Sequence, residues 1–315
     1  MPLLDPDAQR LVDLGRQAGK PPFEALTPEQ ARTAYAASWD VLQPVAQEVA
    51  AVEDRQIEGR RGAIALRIYR AAGTDAHELL PALMFIHGGG WVIGNLQSHD
   101  RLCRALANAA RACVVAVDYR LAPEHPYPAG LDDCAHAWQW LHAQAHDLRV
   151  DSRRVAVGGD SSGGNLAAVL ALMGRDGLLP APIHQTLFYP ALDLAAESDS
   201  YRRTTGVPLT AATMRWFIDH YVPAPDRTDW RVSPLRADSL AGLPPTLILT
   251  VGHDPLCDEA RAYARRLEDE GVQVLAVHAS DQLHGVLMQG RMVAAANGLF
   301  EMLGVALRVA LHPPA

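Results

Sequence analysis

Lysine is almost missing from this chain: among 28 basic residues Lys20 is the only one, and 36 acidic residues leave a net charge of −8. We read the arginine excess as a composition bias of the source genome. A chain with no basic field has little to hold a polyanion, so nucleic acid is not an expected partner. Cysteine is scarce as well. Cys103, Cys113, Cys134 and Cys257 form no CxxC pair, which argues against a disulfide framework and a zinc knuckle. Long apolar runs are missing too. Stretches such as Leu166 to Met173 fall far short of the ~20 residues needed to cross a bilayer. The start, Met-Pro-Leu-Leu-Asp-Pro-Asp, meets proline and charge before the apolar segment of a signal peptide can form, so a cytoplasmic setting is expected. What remains is a chain of 315 residues, 49% hydrophobic, enough for a deep core without staples.

The first fifty residues carry apolar positions at helical spacing. Leu11, Leu14 and Phe23 come first, then a run in which Thr27 caps a helix holding Ala31, Tyr35, Trp39 and Leu42. From Val52 the period changes, and Ile57 and the alternating Ile64, Leu66 and Ile68 predict two antiparallel strands. Continuous apolar strands follow at 82–86, 112–117, 155–157, 186–188, 246–251 and 272–277. Helix-length segments at 100–111, 130–145, 165–173 and 259–270 separate several of them. Strands apolar on both faces, alternating with helices, predict a mostly parallel sheet of eight strands covered on both sides, an α/β architecture. The stretch 193–234 breaks this rhythm with an aromatic helix at 211–221. Residues 1–50 and an insertion at about 191–234 are expected to form a helical cap on a catalytic domain spanning 51–315.

Four motifs carry chemistry. Gly159-Asp160-Ser161-Ser162-Gly163-Gly164-Asn165 follows a strand and opens a helix. A serine at such a bend has its hydroxyl exposed beside a helix N-terminus, where negative charge is favoured. The run resembles the Gly-Asp-Ser-Gly-Gly of trypsin-like proteases with one residue inserted, but the helical segments contradict an all-β fold. Neither GxGxxG nor GxxxxGK[ST] is present, so a dinucleotide or phosphate loop is not predicted. His87-Gly88-Gly89-Gly90-Trp91 ends another strand. Its successive glycines offer unobstructed N–H groups, and Gly89, Gly90 and the Ser162 N–H are the expected oxyanion donors. After the strand at 246–251, Asp254 is the candidate carboxylate, with Asp258 as rival and as a charge for the next helix start. His284, selected from 13 histidines by its loop setting, is the candidate base. His87 is read as a scaffold for the glycine loop and His253 as a bystander. The order Ser161, Asp254, His284 is that of α/β-hydrolases.

These motifs, with Asp118-Tyr119-Arg120-Leu121-Ala122-Pro123-Glu124-His125-Pro126-Tyr127-Pro128-Ala129, resemble the bacterial hormone-sensitive-lipase-like esterases, family IV, of the α/β-hydrolase superfamily. The resemblance spans roughly residues 50–310. It implies a serine carboxylesterase for short to medium acyl chains, Ser161, Asp254 and His284 as triad, and Gly88 to Gly90 as the oxyanion loop. It departs at Ser162, where alanine is usual, at Trp91, where phenylalanine is common, and at Cys257, where arginine is common. In the 119–129 stretch, Arg120 and Glu124 are expected to tie the loop beneath the site.

The expected partner is a small ester, with no metal and no cofactor; a homodimer is compatible with the chain. Trp91, Tyr189, Leu209, Met214, Trp216, Leu256 and Val286 are nominated to line the substrate pocket, ordinary core packing being the competing reading. A non-catalytic receptor of the same fold is disfavoured by the survival of all three triad candidates. An amidase or acyltransferase would use the same triad and is separated by assay.

Overall fold

A computed structural model of the protein describes residues 3–205 and 208–313; the ends of the expected 1–50 and 51–315 units and two positions of the expected insertion (206 and 207) lie outside them. Three helices come first: α1 (Pro6–Gln17), α2 (Pro28–Ala36) and α3 (Trp39–Leu42). Asp5 caps α1, and Thr27 and Gln30 form a reciprocal capping box on α2, as the sequence predicts for Thr27. A hairpin follows, β1 (Ala51–Gly59) and β2 (Gly62–Arg70). The alternation then runs β3 (Leu80–Ile86), α4 (Leu96–Ala110), β4 (Cys113–Asp118), α5 (Ala129–Ala143), β5 (Val150–Asp160), α6 (Ser162–Arg175) and β6 (Gln185–Phe188). Two helices, α7 (Asp199–Arg203) and α8 (Ala211–Tyr221), precede β7 (Thr246–His253), α9 (Cys257–Asp269), β8 (Val274–Leu283) and α10 (Ala294–Leu311).

The strands form one sheet in the order β1-β2-β4-β3-β5-β6-β7-β8. β1 and β2 pair antiparallel, β2 meets β4 antiparallel, and every later pairing is parallel. All seven residues of β3 and all eight of β7 are buried, which is why β3 reads as an unbroken apolar run and β7 as a mostly apolar one. One core layer joins Trp138, Leu166, Leu170, Leu172 and Leu267 to one face of the sheet; the other joins Leu102, Leu106, Leu303 and Leu307 to the opposite face. By length and composition α10 alone among the described residues qualifies as a membrane span; Leu303, Leu307 and Leu311 are buried on the face that packs toward α4, while Met302, Val305 and Val309 are exposed.

Several boundaries differ from the expected ones for local reasons. β5 begins at Val150, where Asp151, Arg153 and Arg154 tie one another at the protein surface and hide the strand's start. β8 is an edge strand whose His278, Ser280 and Asp281 break the apolar pattern, so it runs on to Leu283. α4 starts at Leu96, capped by Asn95 with Ser98. α6 starts at Ser162, because its two glycines are helical despite their low propensity.

The segments expected to form a cap make contacts in two different places. α1 lies with Ala8 and Val12 against Leu283 at the end of β8, and Asp5 N–H donates to Asp281 O. From Phe23 onward the N-terminal segment meets α8: Thr213 Oγ1 donates to Glu24, and the Phe23 and Phe217 rings are 6.0 Å apart. Arg32 of α2 donates to Val92 O and Ala122 O and forms a two-pronged pair with Glu124. This part sits on the loops that leave the carboxyl ends of β3 and β4.

Candidate active site

The turn between β5 and α6 is too tight for side chains. A Cβ on Gly159 would come within 2.5 Å of Gly163 and Ile86 backbone atoms, and one on Gly163 within 2.0 Å of Ile86 O. Ser161 pays the conformational cost at the apex, with φ 54° and ψ −120°. Its N–H donates to Phe188 O and its carbonyl accepts from Ala191 and Asn165, so the bend is held on three sides.

The structure brings the three candidate residues together. Ser161 Oγ lies 2.9 Å from His284 Nε2, and His284 Nδ1 lies 2.7 Å from Asp254 Oδ2. A carboxylate only accepts, so Nδ1 is the donor there and Nε2 is left to accept from the Ser161 hydroxyl. Asp254 Oδ1 accepts from Leu256 N–H at 2.9 Å, which fixes the carboxylate plane. Gln289 donates to His284 O, and Tyr189 packs its ring edge-on at 4.8 Å from the imidazole. Asp254 is fully buried, while the His284 side chain retains 14% of its exposure.

Asp258 is not a second ligand of the histidine. It receives Ser200 N–H and pairs with Arg203 through both oxygens, clamping α7 to the first turn of α9. The helix N-cap is Leu256.

The glycine loop is pinned at its entry. Tyr119 Oη donates to His87 O at 3.0 Å, and the His87 ring stacks on Tyr119 at 4.4 Å. Burial, followed by the neighbouring His99, pushes the His87 imidazole down to about 3, so it is neutral and Nδ1–H donates to Gly88 O at 2.8 Å. Gly88 corrects one expectation: its N–H donates to Asp160 Oδ1 at 2.8 Å and is not free for an oxyanion. No acceptor among the described residues takes the Gly89 or Gly90 N–H, and both have left-handed φ, 122° and 58°. Ser162, with its N–H at the start of α6, is fully buried.

The nominated pocket residues require a second correction. Trp91, Tyr189, Met214, Leu256 and Val286 are each at most 2% exposed and belong to the packed core. Trp91 is stacked on Tyr221 at 4.5 Å, so it supports α8 and presents no open wall. Leu209 and Trp216 keep accessible surface. Phe217, read from sequence only as part of the aromatic helix 211–221, has a closer role: a Cβ on Gly90 would fall 2.2 Å from its ring, so this ring covers the glycine loop. Its place in an amphipathic helix gave no hint of that contact. Asp160 stood inside a recognised motif without a role, and His99 carried no motif at all.

A doubly wound sheet with a serine at a strained strand-to-helix bend, and a histidine and an aspartate at later strand ends, defines the class of α/β-hydrolases. The family profile described as the alpha/beta hydrolase fold matches residues 83–288. An ethyl acetate hydrolase of Pseudomonas putida is 38% identical over 97% of this chain and 98% of its own length. The carboxylic ester hydrolase LipN of Mycobacterium tuberculosis is 41% identical over 80% of this chain and 69% of its own. Among solved structures, a thermostable esterase from Pseudomonas putida superposes with a TM-score of 0.94 at 35% identity, covering 100% of this chain and 99% of that one. An ester hydrolase from the metagenome of Lake Arreo, complexed with a bipyridine phosphonate derivative, gives 0.93 at 40% identity, over 98% and 99% of the two chains. The chain belongs to the hormone-sensitive-lipase-like esterases, family IV, of the alpha/beta hydrolase fold. It is an enzyme, a carboxylic ester hydrolase.

Proposed function

We propose that the protein hydrolyses short- to medium-chain acyl esters through an acyl-enzyme on Ser161. Ser161 Oγ attacks the ester carbonyl carbon while its proton passes to His284 Nε2. The tetrahedral oxyanion is received by the N–H groups of Gly89, Gly90 and Ser162. Collapse breaks the bond to the alcohol oxygen, which leaves with the proton from His284. Water then loses a proton to the same nitrogen and attacks the acyl carbon; the second tetrahedral intermediate breaks its bond to Ser161 Oγ, which takes the proton back from His284 as the acid leaves. Asp254 holds the tautomer and stabilises the imidazolium. The single observation that carries this reading is the Ser161–His284–Asp254 chain of contacts at 2.9 and 2.7 Å.

Ester hydrolysis of this kind is driven by side chains and backbone N–H groups alone. The segment from Phe23 to about residue 50 and the insertion at 191–234 act in this reading as the cap that selects the acyl chain, with Leu209, Trp216 and Phe217 among its side chains. Four free cysteines are compatible with a reducing compartment, and we place the enzyme in the cytoplasm. Ser161→Ala is expected to lower kcat/KM on p-nitrophenyl esters by roughly 10⁴-fold or more with little change in thermal unfolding. Retained turnover removes Ser161 as nucleophile. Aminolysis compared with hydrolysis of one acyl donor separates acyl transfer from esterase chemistry.

A further inference from the structure

We infer that Asp160, backed by His99, is a positioning residue that couples the nucleophile bend to the oxyanion loop, an inference that rests on the acyl-enzyme reading above. Oxyanion stabilisation depends on a fixed distance between Ser161 Oγ and the N–H groups of Gly89 and Gly90, yet these sit on separate pieces of chain. Asp160 is the last residue of β5, directly before Ser161, and its Oδ1 receives the Gly88 N–H at 2.8 Å. It thus bonds the two pieces to each other across 72 positions. The fit is close: a Cβ on Gly88 would stand 2.6 Å from Asp160 Oδ2 and 2.8 Å from its carbonyl oxygen.

A buried carboxylate beside a developing oxyanion opposes it unless its charge is balanced. His99 is the facing group, with Nε2 3.1 Å from Asp160 Oδ1 and both side chains almost fully buried. Ser98 Oγ gives its hydrogen to Asn95 O at 2.7 Å, so at its 2.7 Å contact with His99 Nδ1 it is the acceptor. The ring therefore donates from Nδ1 and turns Nε2 to the carboxylate. Burial alone raises the Asp160 carboxyl, and the His99 charge and the Gly88 N–H outweigh it and hold it below the ordinary range. Asn95 and Ser98 cap α4, so the whole helix start is committed to this pair.

The test compares folded Asp160→Ala, Asp160→Asn and His99→Gln with the parent enzyme and with Ser161→Ala, reading kcat, KM, thermal unfolding and affinity for a trifluoromethyl ketone. Asp160→Ala is expected to lose about 10² in kcat with KM little changed, and ketone affinity should fall in parallel. Asp160→Asn keeps an oxygen for Gly88 and should lose about tenfold; His99→Gln should move in the same direction. If Asp160→Ala fails to fold, Asp160→Asn and His99→Gln decide. Parental kcat and ketone affinity in the folded variants, with only the unfolding temperature lowered, overturn the positioning role and leave the triad standing. Turnover by Ser161→Ala instead overturns the acyl-enzyme reading itself.

Discussion

Glu259 illustrates how much a single buried group weighs on this fold. It lies on α9, one turn past Asp254, where Oε1 accepts Leu192 N–H at 2.7 Å. Burial pushes its carboxyl well above the usual range, against the opposing pull of the Leu192 and Asp193 N–H groups. A carboxyl raised in the folded state weakens folding as pH climbs above the unfolded value, by about 1.4 kcal/mol per unit of displacement. Glu259→Gln keeps the acceptor and removes the titration. Its unfolding temperature should match the parent near pH 4 and exceed it increasingly toward pH 8; a difference that does not vary with pH contradicts the buried-acid account. At this scale the sequence was most informative where one residue type is obligatory, as at Ser161, Gly159 and Gly163. It was least informative where a side chain acts through a distant backbone group. Nothing in the motif around Asp160 reveals that its oxygen takes the N–H of Gly88, and the same contact leaves Gly88, part of the expected oxyanion loop, without a free N–H.

Among elements, α2 is tied to the catalytic loops more firmly than its amphipathic pattern implies. Arg32 reaches two carbonyls, Val92 O and Ala122 O, as well as Glu124. The Arg32 guanidinium holds the Glu124 carboxyl down at about 2. A depressed carboxyl contributes stability above its unfolded value and loses it as pH falls, so this tie persists through the mildly acidic range and fades toward pH 2. Because Glu124 is half exposed, the ion pair itself contributes no more than about 1 kcal/mol. Arg32→Ala also frees both carbonyls. It should therefore change the ratio of hexanoate to acetate ester turnover several-fold, whereas Glu124→Gln should change it little. Equal ratios in both variants and the parent mean that α2 does not shape the acyl site. The sequence anticipated Glu124 as a loop tie but not its partner, since a contact 92 positions away leaves no local trace. Arg120 behaves as expected within its own neighbourhood, pairing with Asp133 through both oxygens.

Across the whole molecule, the sheet was legible because burial on both faces writes unbroken apolar strands, and the site was legible because catalytic side chains gather at the carboxyl ends of those strands. Edge strand β8, polar in its second half, and the docking of α1 beside Leu283 were not, since both depend on neighbours brought in by the fold. Pocket residues suffered most. Their apolar identity suits a pocket and a core equally, and the structure commits five of seven to the core. The account stands on one serine being the reactive group of this architecture. Incubation with a p-nitrophenyl alkylphosphonate, followed by intact mass and peptide mapping, tests that directly. A single adduct on Ser161 is expected, formed in proportion to loss of esterase activity and slowed by roughly 10³-fold or more in His284→Ala. Full inactivation with the adduct on another residue, or labelling at the parental rate without His284, contradicts it.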